Sequence, residues 1–147
     1  MEEQDNKETL KLFFKSAGKL FCLEINYVMR IINLVELQSV PGTPSYFKGF
    51  LNLHQKEIPV IDLAERLGFK DKPEYNLDTL IILCKSADAN MGLIVDEVLN
   101  IESIAKAGLQ EQELFVGESV KYLHGIIPTP QGDALLLHMD NLFKLDF

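Results

Sequence analysis

Several things are scarce in this chain of 147 residues, and each scarcity excludes a class of protein. The two cysteines, Cys22 and Cys84, stand 62 residues apart with no Cys-x-x-Cys pair, too few for a disulfide scaffold. Both lie inside apolar runs and read as buried, reduced thiols. Basic residues number 14 against 22 acidic ones, a net charge of −8, so no broad basic face is available for general nucleic-acid binding. The longest apolar run, Leu77 to Cys84, is interrupted by Asp78 and Thr79 and is far shorter than a membrane span. The first eight residues have neither a basic region nor an apolar one, so a secretory leader is not expected. A cytoplasmic protein without direct membrane insertion follows as the expectation.

Catalytic signatures are missing as well. The chain has no G-x-S-x-G, no G-x-x-x-x-G-K-[ST], no G-x-G-x-x-G and no H-E-x-x-H. His54, His124 and His138 are isolated in sequence, without metal-ligand spacing. His138, in Leu135-Leu136-Leu137-His138-Met139, reads as a solvent-facing or hydrogen-bonded strand histidine. Asp62 and Asp140 read as helix caps rather than a catalytic carboxylate pair, and Asp96-Glu97 as a turn beside a strand. No nucleophile, base, cofactor motif or metal site emerges, so an enzyme is not expected.

What is present is β-type patterning. Apolar residues make up 47% of the chain, enough for a substantial core. Residues 1 to 9 are polar and are expected to fray. Leu10 to Lys15 alternates with period two, and Ser16-Ala17-Gly18-Lys19 supplies a turn into a second strand, Leu20 to Ile25. Asn26 is placed to cap a short helical turn, and Ile31 to Leu37 returns to strand composition. Val40-Pro41-Gly42-Thr43-Pro44 breaks the pattern. Gly49 to Leu53 and Ile58 to Leu63 read as strands joined by His54-Gln55-Lys56-Glu57, with Pro59 expected at a strand start or on an edge. Ala64 to Gly68 reads as a short helix with Asp62 near its start. Leu77 to Cys84, Met91 to Val95, Lys121 to Ile127 and Ala134 to Met139 are further strands. Gly108 to Ser119 reads as a loop, and Asp140 as the cap of a last short helix, Asn141 to Leu145.

An internal repeat organises these elements. Phe21 to Ile31 is echoed 70 residues later by Met91 to Ile101, pairing Leu23 with Leu93, Ile25 with Val95, Val28 with Val98 and Ile31 with Ile101. Asn26 and Asp96 share one slot. Gly49 to Asp62 is echoed by Gly125 to Asp140, which makes Asp62 the counterpart of Asp140. Related halves and so many short strands point to an all-β protein of two small barrels or sheets, not an α/β fold. In such a protein the edge strands and the turn-flanked apolar segments Val28 to Ile32 and Gly49 to Leu53 are candidate contacts for another protein.

Val40-Pro41-Gly42-Thr43-Pro44-Ser45-Tyr46-Phe47-Lys48-Gly49-Phe50-Leu51-Asn52-Leu53, with Ile58 to Gly68 after it, resembles the signature of the bacterial chemotaxis coupling proteins, the CheW-like family. Gly92 to Val98, Tyr122-Leu123-His124-Gly125 and Leu135 to Leu142 resemble its other motifs, so the likeness runs from about Leu10 to Phe143. The resemblance implies two five-stranded SH3-like β-barrels. One spans about residues 21–76; the other takes about 10–20 together with 77–147, after a flexible N-terminus at 1–9. It implies a non-catalytic adaptor, with no cofactor, that ties a chemoreceptor's cytoplasmic tip to the regulatory domain of a histidine autokinase. One barrel would meet the kinase and the groove between barrels the receptor, at membrane-associated arrays. The partner-binding residues it implies are Val28, Arg30, Ile31, Gly49, Asn52, Leu53, His54 and Gln55. The family usually has Asn-Leu-Arg-Gly where this chain has Asn52-Leu53-His54-Gln55, and often Glu where Arg30 stands. An Arg is always charged, whereas His is only fractionally so near neutral pH. Loss of the Gly is expected to change the hairpin turn. These departures also leave open a diverged domain that competes with or retunes a coupling protein, or serves another two-component pathway.

Overall fold

The computed structural model describes residues 8–105 and 118–145. Ten strands form two five-stranded sheets. The strands are β1 (Glu8–Ser16), β2 (Lys19–Glu24), β3 (Val28–Asn33), β4 (Phe47–Leu53), β5 (Lys56–Asp62), β6 (Leu80–Lys85), β7 (Asn90–Val95), β8 (Glu97–Ala105), β9 (Leu123–Thr129) and β10 (Gly132–Leu137). Two one-turn helices follow β5 and β10: α1 (Leu63–Arg66) and α2 (Met139–Leu142). One sheet runs β8-β1-β2-β10-β9 and the other β3-β6-β7-β5-β4. Neighbours are antiparallel except β2 with β10 and β5 with β7. Each sheet curls: Ile32 on edge strand β3 and Leu51 on edge strand β4 pack into one cluster with Ile58, Val60, Ile81 and Leu83. Ile104 on β8 and Ile127 on β9 do the same around Phe13, Cys22 and Leu136. Between the sheets lies a third and larger core that takes Leu12, Phe14, Phe21, Ile61, Leu63, Ile82, Leu93 and Leu142. Phe13 and Phe14 are both fully buried because they point to opposite faces of β1, one into the barrel and one into the shared core.

The repeat holds at the level of register. Phe14 faces Phe21 as Cys84 faces Met91, Val98 faces Phe14 as Val28 faces Cys84, and Ile101 faces Leu12 as Ile31 faces Ile82. Even the irregularities recur: one unpaired residue interrupts β3 at Met29 and β8 at Leu99. The strands β3 to β7 therefore correspond to β8, β9, β10, β1 and β2, a permuted order. This division differs from the expected one. β2 lies in the sheet with β10, while β6 and β7 lie with β3, β4 and β5. The resemblance implies the first grouping; the parallel ladders β2–β10 and β5–β7 give the second. The segment expected to fray, residues 1–9, lies outside the described residues except for its end, where Glu8 and Thr9 already pair with Ala105 and Ile104.

Other expectations are corrected in detail. The counterpart of Asp62 is His138, not Asp140. Asp62 N donates to Tyr46 O at 2.8 Å and His138 N to Tyr122 O at 2.7 Å, and each side chain caps the helix that follows. A cap must immediately precede the first turn, and α2 starts at Met139. Asn26 and Asp96 do not share a capping role. Asn26 lies inside a 3-10 turn, Ile25–Tyr27, whereas Asp96 Oδ2 accepts from Ala17 N at 2.8 Å and pins the β1–β2 turn. Pro59 sits on β5, an inner strand, yet β7 covers only Val60 to Asp62, so no ladder bond is lost at Pro59. Leu77 is 96% exposed in the loop before β6 rather than in the strand. Most of the expected loop from Gly108 to Ser119 lies outside the described residues. Cys22 and Cys84 are buried free thiols, and burial pushes the Cys22 thiol up to about 12, which leaves it inert.

Candidate partner-binding surface

The expected contact residues fall into two groups at opposite edges of one sheet. Val28, Arg30 and Ile31 lie on β3; Asn52, Leu53, His54 and Gln55 form the tip of the β4–β5 hairpin. β3 pairs on one side only, with β6, so its other edge is free among the described residues. On this strand Val28 is half-buried on the shared core, whereas Arg30 and Ile31 are exposed. The bulge turns Met29 outward to 42% exposure, beside Ile31. Two large apolar side chains are thus held in water on an open strand edge, the arrangement that precedes burial by a partner.

The hairpin keeps a tight two-residue loop despite its unusual sequence. Leu53 pairs with Lys56, and His54 (φ 50°) and Gln55 (φ 67°) both adopt left-handed backbone. That is the type I′ pattern, in which both central residues need positive φ. The hairpin thus closes without Gly: strand twist imposes the geometry, and His54 and Gln55 bear the strain that Gly would avoid. Asn52, His54 and Gln55 are exposed, whereas Leu53 is half-buried on the barrel core. Gly49 is buried and has a different task. Its φ is 132°, and a Cβ there would stand 2.5 Å from Gln38 O. Gln38 exchanges two backbone hydrogen bonds with Phe50, at 2.9 and 3.0 Å, and covers the outer edge of β4. β4 is thereby blunted while β3 stays open.

A charged network holds the base of this half. Asp62 is buried, accepts from Glu65 N at 3.0 Å and from the Tyr75 hydroxyl, and pairs with Lys72 at 3.1 Å. Burial and the Asp62 carboxylate push the Tyr75 phenol up, so it remains a donor. Lys72 and Lys48 both reach Glu65, at 3.3 and 2.6 Å. Arg66 lies over the rings of Tyr46 and Tyr122, at 4.1 and 4.7 Å to the ring centroids, and so ties the two halves together through equivalent tyrosines. These carboxylates serve structure; Asp140 instead accepts from the Tyr27 hydroxyl at 3.3 Å.

The repeat also marks residues that inspection of single segments missed. Leu99 and Ile101 on β8 are the counterparts of Met29 and Ile31, and they are 38% and 53% exposed on a strand that, among the described residues, is the edge of the other sheet. Leu10 on the adjacent β1 is 49% exposed. Val98, like Val28, rests on the shared core. Among the described residues no group of three or more His, Cys, Asp and Glu is arranged to hold a metal, and no helix is long and apolar enough to cross a membrane.

The family model described as CheW-like domain matches residues 11–147. The chain is 24% identical over 144 residues to the chemotaxis protein CheW of Treponema pallidum, covering 95% of this chain and 85% of that one. It is 28% identical to a probable chemotaxis protein CheW of Rhizobium etli, over 89% of this chain and 84% of its relative. The crystal structure of the scaffolding protein TtCheW from Thermoanaerobacter tengcongensis superposes with a TM-score of 0.85 at 27% identity, covering 95% of this chain and 90% of that one.

Proposed function

The chain belongs to the CheW-like domain family, and from that premise we propose that it is a non-catalytic adaptor that couples chemoreceptors to a histidine autokinase in a chemosensory assembly. The family match over 11–147 carries the reading. The scaffolding protein of known structure shares the arrangement of two curled sheets around a common core. On this reading the chain works by presenting surfaces rather than reactive groups. It acts in the cytoplasm at receptor arrays, and its partners are the kinase regulatory domain and the helical cytoplasmic tip of a receptor.

The residues assigned to contact are Val28, Arg30 and Ile31 on the open edge of β3, with Met29 beside them, and Asn52, Leu53, His54 and Gln55 at the hairpin tip. Gly49 supports them by admitting the Gln38 bridge. An apolar strand edge suits a partner that brings its own apolar helix or strand, because the contact removes exposed Met29 and Ile31 from water. The hairpin tip is polar and suits selection among partners by charge. Replacing Arg30→Glu, His54→Arg and Gln55→Gly together restores the pattern usual in the family. Each exposed charge is worth about 0.2–1 kcal/mol, so the triple variant is expected to shift preference severalfold toward a kinase domain adapted to that pattern. Titration of wild type and variant against two kinase regulatory domains at one salt concentration checks this. Equal preference in both proteins removes the hairpin and Arg30 from specificity.

A further inference from the structure

His124 and His138, at the open end of the β9–β10 hairpin, meet at a corner that the adaptor reading leaves unused. Their rings stack within 24° of parallel, with centroids 4.1 Å apart. His138 Nδ1 accepts from Asn141 N at 3.2 Å and so caps α2. Only an unprotonated Nδ1 can do this. α2 in turn seats Met139 and Leu142 in the shared core, and Asn141 Nδ2 donates to Lys121 O at 2.6 Å. Asp140 accepts from the Tyr27 hydroxyl, and Phe143 packs on the Tyr27 ring at 6.2 Å. Tyr27 directly precedes β3.

The equivalent corner in the other half carries a lysine and carboxylates in place of imidazoles. Lys48 stands where His124 does and pairs with Glu65, and Asp62 caps α1 with a carboxylate. Two imidazoles replace that charge-complementary arrangement here. We propose that the stacked pair His124 and His138 is a proton-sensitive latch that holds the α2 corner closed at neutral pH and releases it on acidification. A proton on His138 Nδ1 removes the cap acceptor and places a cation at a helix N-terminus, where the backbone field opposes it. A second proton sets cation against cation at stacking distance.

Burial, and then the charge of His138, hold the His124 imidazole below its usual value. A histidine whose folded value is depressed contributes stability that is complete above its unfolded value, about 6.5, and is lost as pH falls below it. Glu24 and Asp140 face His124 and favour its cation, but burial outweighs them. Lys121, whose carbonyl accepts from Asn141, Arg66 over Tyr122 and the Tyr27 hydroxyl bound to Asp140 stand around the same corner.

Amide hydrogen exchange on the full chain, corrected for intrinsic rates, tests the latch. Between about pH 7.5 and pH 5.5 the protection of Asn141 and Leu142 is expected to fall at least ~10-fold, while the Glu65 amide of α1 changes less than ~2-fold. The double variant His124→Lys, His138→Asp installs the residues that stand at the two equivalent positions of the other half and is expected to hold α2 protection to within ~2-fold over the same range. His138→Asn, which keeps an acceptor that does not titrate, is expected to be similarly flat and serves if the double variant fails to fold. Equal loss at α2 in wild type and in a folded variant overturns the proposal, as does a wild type whose α2 protection is unchanged by pH.

Discussion

The left-handed pair at the hairpin tip shows how one residue's backbone reports on its surroundings. His54 and Gln55 hold positive φ because β4 and β5 must twist into a two-residue loop. Replacing Gln55→Gly is expected to stabilise the chain by about 0.5–1 kcal/mol, read as a higher denaturant midpoint. A lower midpoint contradicts the assigned turn. Gly49 is the opposite case. Its φ of 132° and the 2.5 Å approach to Gln38 O leave no room for a methyl, so Gly49→Ala is expected to cost roughly 2 kcal/mol or more and to expose the β4 edge. Asp62 is a third. It satisfies a helix N-H, a phenol and an ammonium at once, and Asp62→Ala takes this acceptor from the Glu65 N-H and the Tyr75 hydroxyl and leaves Lys72 with Glu65 alone, at a cost of about 2–4 kcal/mol in urea melts. The carboxylate was legible in the sequence as a cap because an acid preceded a short helical pattern. Its partners Tyr75 and Lys72 were not, because a loop that folds back leaves no periodic trace.

At the scale of elements, alternation and turn residues located nearly every strand, and the repeat at 70 residues fixed which strands correspond. It was less informative where spacing drifts. The interval becomes 76 between Asp62 and His138, because the segments before β4 and β9 differ in length, and sequence matching settled on Asp140 instead. Sheet membership was also hidden, since parallel neighbours such as β2 and β10 carry no local signal. The repeat's most useful product is the pair of open edges. Met29 and Ile31 on β3 correspond to Leu99 and Ile101 on β8, all exposed. Met29→Asp is expected to weaken partner binding about 10-fold with an unchanged melting temperature, because the side chain lies outside all three cores. Val28→Asp is expected to lower binding and melting temperature together, since Val28 rests on the shared core. Calorimetric titration and thermal melts on the same preparations separate the two effects. If Met29→Asp binds as wild type does, the β3 edge is not the interface.

At the scale of the whole molecule, the described residues form two curled five-stranded sheets around a shared core. Three apolar cores fix the relative placement of the edges, and Arg66 joins the halves through Tyr46 and Tyr122. On the proposed reading, the molecule's use lies in holding two partners at a set geometry. Composition and motif absence pointed away from catalysis, and the resemblance named the assembly, but the identities of kinase and receptor are properties of the other chains. The most direct measurement of the central claim immobilises a receptor cytoplasmic tip and records how much kinase regulatory domain it retains with and without this chain. The account predicts retention that rises with added chain, saturates, and falls about 10-fold when Met29→Asp replaces wild type. A well-folded chain that leaves kinase retention unchanged at every concentration contradicts it.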